Sequence, residues 1–65
     1  MLVLMEFTSG YDGDMYVEVI NGQYTARWYE LDGTEYTFLE NHTYLFQLKD
    51  ENPPIPSWYQ EPESI

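Results

Sequence analysis

The chain reads as an all-β domain, and three observations say so. Aromatic and β-branched residues alternate with polar ones in short runs. Tight-turn dipeptides such as Asn21-Gly22 and Asp32-Gly33 separate those runs. No stretch of useful length carries the period of a helix. The expected architecture is a small five-stranded antiparallel meander, a curled sheet or SH3-like open barrel, followed by an extended Pro-rich C-terminal tail.

The first strand is expected over Leu2–Thr8. Met1-Leu-Val-Leu-Met5 is apolar, but it has no basic flank and is too short for a secretory segment or a membrane span. Met15–Ile20 and Gln23–Leu31 follow as strands around Asn21-Gly22, a type I′ turn that needs φ > 0 at both central residues. A two-residue loop there pairs Val19 with Tyr24, Val17 with Ala26 and Met15 with Trp28, all on one face.

The next strand is Thr34–Leu39. A two-residue turn at Asp32-Gly33 would put Tyr36 and Phe38 on the wrong face, because a one-residue slip inverts every side chain. A three-residue loop, Leu31-Asp32-Gly33, with Gly33 in the left-handed region, repairs this and sets Trp28 opposite Tyr36 and Ala26 opposite Phe38. By the same reasoning Glu40-Asn41-His42 forms the loop before Thr43–Lys49, so that Phe38 meets Tyr44 and Tyr36 meets Phe46. The expected core face is Met15, Val17, Val19, Tyr24, Ala26, Trp28, Tyr36, Phe38, Tyr44, Phe46 and Leu48.

The opposite face is less polar than a solvated sheet surface, with Tyr16, Ile20, Tyr29, Leu31, Leu39 and Leu45 on it. Beyond the β domain of residues 1–49, residues 50–65 form an acidic, Pro-rich tail, partly docked or disordered. Pro53-Pro54-Ile55-Pro56 excludes helix and central strand and favours a polyproline II path. Trp58 and Tyr59 are costly to leave in water, so a secondary docking surface of Tyr16, Tyr29, Leu45, Trp58 and Tyr59 is expected, in the same chain or against a partner.

Charge narrows the function. Twelve Asp and Glu stand against Arg27 and Lys49 in 65 residues, a formal charge of −10. That charge repels nucleic-acid backbones and anionic membranes, so neither is an expected direct ligand. A meander places successive turns at alternate ends of the sheet. The Ser9–Asp14 loop, the Leu31–Gly33 turn and the Lys49–Asn52 exit then share one end, gathering Asp12, Asp14, Glu30, Asp32, Glu35, Asp50 and Glu51 with Glu6 close by. The expected partner-binding residues are Tyr11, Asp12, Asp14, Glu30, Asp32, Glu35, Asp50 and Glu51; the far end, outside this set, has Glu40, His42 and little else.

Catalytic chemistry finds little support. There is no Cys, one His, no Gly-rich phosphate loop and no nucleophile-elbow Ser. No catalytic residue, cofactor or metal is assigned. Asp12-Gly13-Asp14 has a hard-cation spacing but lacks the Glu that completes a calcium loop. The absence of Cys suits a reducing compartment, so a cytoplasmic location is expected.

The expected function is that of a non-enzymatic inhibitor or decoy. Its carboxylates would stand in for phosphates on the basic surface of a partner, typically a nucleic-acid-binding protein. In composition alone the chain resembles the small acidic host-takeover and counter-defence proteins of bacteriophages, which implies the cytoplasm of a host cell. The alternative is a structural or adaptor module docking through its apolar second face and the Trp58/Tyr59 tail.

Overall fold

A computed structural model describes residues 1–61; the last four positions of the tail, residues 62–65, lie outside the described residues. The described chain is all strand, with five antiparallel strands in one sheet that does not close into a barrel: β1 Leu2–Ser9, β2 Gly13–Ile20, β3 Gln23–Tyr29, β4 Glu35–Tyr36 and β5 Leu45–Asp50. Their order across the sheet is β4-β3-β2-β1-β5.

The turns form as their chemistry requires. Asn21 and Gly22 have φ of 53° and 76°, and Val19 faces Tyr24. At the next turn the Gly33 N–H donates to the Glu30 carbonyl at 3.0 Å, and the Glu30 N–H donates to the Thr34 carbonyl at 2.8 Å. Leu31-Asp32-Gly33 is therefore a three-residue loop with Gly33 at φ 97°, and Trp28 lies opposite Tyr36.

Three expectations are corrected. First, the β2–β3 ladder is not continuous: Val17 faces Trp28 rather than Ala26, so Met15 does not meet Trp28. The Thr25 hydroxyl accepts the Arg27 N–H at 3.1 Å, a local bond that competes with the ladder and accompanies the bulge. The displacement is two residues, so no side chain changes face.

Second, β4 and β5 are not a hairpin. β4 stops at Tyr36, and β5 crosses to pair with the far side of β1, with Met5 opposite Leu48 and Phe7 opposite Phe46. Phe38 and Tyr44 do meet, stacked at 4.1 Å between centroids, but Tyr36 reaches the Tyr44 hydroxyl at 3.0 Å instead of Phe46. Asn41, at φ 59°, lies in the loop that carries the chain between the edges.

Third, the core sits under β1 and β2. Leu2, Val3, Met5, Phe7, Met15 and Val17 are buried, whereas Tyr24 is 63% exposed, Leu48 50%, and Ala26 and Phe46 are also exposed. β4 is too short to cover the start of β3, and β5 is an edge with no strand outside it among the described residues.

Aromatic packing curls the sheet. Strands β3 and β5 are three spacings apart, about 14 Å in a flat sheet. The rings of Trp28 and Phe46 nevertheless lie 5.0 Å apart. Phe7, on β1 between them, touches both, at 5.3 and 5.0 Å, and also packs against Tyr11, Phe38 and Tyr44. One buried ring thus organises the concave face. The convex face carries Leu2, Leu4, Tyr16, Glu18 and Tyr29.

Candidate functional site

The direction of β5 decides where the charges fall. β5 starts opposite Ser9 and ends opposite Leu4, so it runs away from the Ser9–Gly13 loop. Asp50 and Glu51 therefore leave the acidic end. Glu51 lines a cavity of about 340 Å³ with Val19, Gly22 and Tyr24, at the opposite end of the sheet. The Glu40–His42 turn moves the other way. Gly10 packs against the Thr43 carbonyl oxygen so closely that a Cβ there would collide with it, and His42 Nε2 lies 3.2 Å from the Gly10 carbonyl oxygen. Turn alternation failed because it assumes that β5 follows β4 in the sheet.

The remaining acidic residues do converge. Tyr11, Asp12, Asp14, Glu30 and Asp32 line one groove of about 260 Å³ between the β1–β2 loop and the β3–β4 turn. The Tyr11 ring leans on Phe7 and Tyr36, and its hydroxyl donates to Glu30 Oε1 at 3.0 Å. Burial, then the Glu30 bond, raises its pKa. Asp32 Oδ1 accepts the Thr34 N–H at 2.9 Å, and this backbone donor holds its carboxyl below the usual range. Glu35 begins β4 on the other side of the turn, opposite Tyr29.

Lys49 reaches Asp14 Oδ2 at 2.7 Å, and Gln47 donates to Glu6 at 2.9 Å. The Asp14 bond raises the Lys49 pKa. One of the two basic side chains is thus committed within the molecule. No three His, Asp or Glu side chains among the described residues are grouped as metal ligands, so Asp12 and Asp14 acquire no third.

The tail builds a second feature on the convex face. Tyr16 and Tyr29 are cross-strand partners, and Trp58 packs on both at 5.8 and 5.4 Å between centroids. Its indole N–H donates to the Leu31 carbonyl at 3.3 Å. Tyr59 packs against Tyr29 and donates its hydroxyl to Glu18 Oε2 at 2.9 Å. Pro53 is buried, as is Leu2 beside Glu18. Leu45 stays apart, 57% exposed on β5.

Between the docked tail and β2–β3 lies a cavity of about 510 Å³, with Glu18, Arg27, Tyr29, Asp32, Trp58 and Tyr59 on its walls. Sequence reasoning did not single out Glu18 or Arg27. The pairing of an acid with apolar strand neighbours (Val17-Glu18-Val19) on a face already short of polar residues was the available signal. Asp32 lines both hollows, so the acidic groove and the aromatic cavity share one rim.

Comparison with family models, curated proteins and solved structures finds no match to this chain.

Proposed function

We propose that this protein is a non-catalytic acidic binding module that occupies a cationic surface of a partner protein, its carboxylates standing in for phosphates. The observation that carries the reading is the groove of Tyr11, Asp12, Asp14, Glu30 and Asp32, a convergence of four carboxylates in which Lys49 is already paired with Asp14. Exposed pairs contribute about 0–1 kcal/mol each, so affinity comes from several acting together around partly desolvated contacts. The field chiefly accelerates encounter. Asp50 and Glu51 do not line this groove, because β5 runs away from it.

Affinity capture from the source cell at low and high salt tests the reading, using the natural chain and a variant with Asp12→Asn, Glu30→Gln and Asp32→Asn. Basic proteins retained by the natural chain are expected to be lost both in the variant and at high salt. Retention unchanged by either overturns it.

A second reading has its own observation. The outer edge of β5 is unpaired among the described residues and presents Leu45, Phe46 and Leu48. An adaptor docking there would bind through apolar contact and main-chain pairing, with little dependence on salt. This differs from docking through Trp58 and Tyr59, which are occupied within the chain.

A further inference from the structure

We propose that the convex-face cavity under the tail is a receptor for one cationic side chain of the partner, a lysine ammonium or an arginine guanidinium. The inference rests on the acidic-module reading for the source of that cation, and on the cavity itself for its recognition.

Three features point to a cation. The cavity of about 510 Å³ has room for a long side chain, and three aromatic residues, Tyr29, Trp58 and Tyr59, contribute to its walls. Aromatic faces attract cations, and more strongly where water is excluded. The second feature is Glu18, only 5% exposed, a level at which carboxylates are ordinarily paired with a charge. Tyr59 supplies a neutral hydroxyl to Oε2, and no donor among the described residues bonds Oε1. Glu18 lines the cavity, so a cation entering there would meet a largely buried carboxylate whose Oε1 is unbonded by protein donors among the described residues and remains open to solvent. Third, Asp32 stands on the rim shared with the acidic groove, which gives an approaching cation a continuous negative path.

Arg27, an exposed residue, lies on the same wall, and its pKa is raised first by Tyr29 and then by Glu35 and Glu18. It is the chain's own cation beside the site and competes with an incoming one. The tail residues are walls of the cavity, so the receptor exists only while Trp58 is seated against Gly33.

The test is a heteronuclear NMR titration of the full chain with N-acetyl-lysine methylamide and N-acetyl-arginine methylamide, and with the norleucine derivative as the neutral control. Saturable shifts are expected at the Trp58 indole and the Tyr29 and Tyr59 amides with a cationic probe, and none with norleucine. Glu18→Gln retains an acceptor for Tyr59 and is expected to weaken binding by about tenfold. Arg27→Ala leaves the aromatic walls intact and is expected to tighten it several-fold. Equal shifts from norleucine, no saturable shift, or affinity unmoved in both variants overturns the proposal.

The control Asp12→Asn with Glu30→Gln separates this proposal from the broader reading. Those residues line the groove and not the cavity. Probe binding at Trp58 should survive in this variant whether or not partner capture is lost.

Discussion

Tyr59 donates its hydroxyl to Glu18 at 2.9 Å, joining residues 41 positions apart and fastening the tail to the convex face of the sheet. The bond sits beside the Tyr16–Tyr29 pair on which Trp58 rests, so one short segment gives a buried carboxylate one donor and covers an aromatic surface. Removing the hydroxyl alone leaves Glu18 without that donor. Tyr59→Phe should cost about 1–3 kcal/mol, read as a lower denaturant midpoint with an unchanged slope.

The same bond sets a pH dependence. Burial, then the Glu18 bond, raises the Tyr59 pKa above its ordinary 10.0. The folded state therefore holds the proton more tightly than the unfolded one. This contribution is complete below pH 10 and is lost as pH rises from 10 toward the raised folded value. Trp58 indole shifts should report tail release in that alkaline window, and Tyr59→Phe should abolish the transition. At the acid end Asp32 acts oppositely. Its carboxyl is lowered by the Thr34 N–H, so its contribution holds above the unfolded value and fades as pH falls through the folded one.

Gly33 links the turn to the tail. It sits at φ 97°, and a Cβ there would stand 2.8 Å from Trp58 Cδ2. Gly33→Ala should strain the left-handed position and also displace Trp58, whereas Gly22→Ala, at φ 76° with open space around it, should only strain its turn. Comparing the Trp58 indole environment in the two variants by NMR checks this.

Phe7 is the ring on which the curl depends. It is buried and packs against five other aromatic rings. Phe7→Ala should cost about 3–5 kcal/mol. A domain of this size has about 3–10 kcal/mol in all, so thermal unfolding should show a marginal or absent folded state.

Local rules were legible in the sequence, and non-local pairing was not. Asn21-Gly22 and Leu31-Asp32-Gly33 could be read because a positive φ at a defined position selects both residue type and loop length. Trp28 opposite Tyr36 then follows by counting. The Thr25 bulge could not be read, since a hydroxyl-to-backbone bond has no sequence period. The crossing of β5 to β1 escaped for a related reason: turn chemistry describes neighbours in the chain, not neighbours in the sheet. A usable signal did exist. Leu2-Val3-Leu4-Met5 is apolar at successive positions, the mark of a strand covered on both faces and hence interior to the sheet. Taken up, it would have placed β1 between two partners and moved Asp50 and Glu51 away from Asp12.

That relocation allows a direct test with net charge held constant. Asp12→Asn with Asp32→Asn removes two charges from the acidic end, and Asp50→Asn with Glu51→Gln removes two from the other. Asp50 lies level with Tyr16 through Leu4, about 13 Å along the strands from Asp12, which exceeds a screening length of about 8 Å at physiological salt. The measurement is association of each variant with a short lysine-rich peptide at low and physiological salt. The account predicts that the Asp12/Asp32 variant loses several-fold more affinity than the Asp50/Glu51 variant, mainly through a slower on-rate, and that the gap persists at physiological salt. Equal losses in the two variants would contradict it, and would mean that the charge acts only as a diffuse field with no binding end.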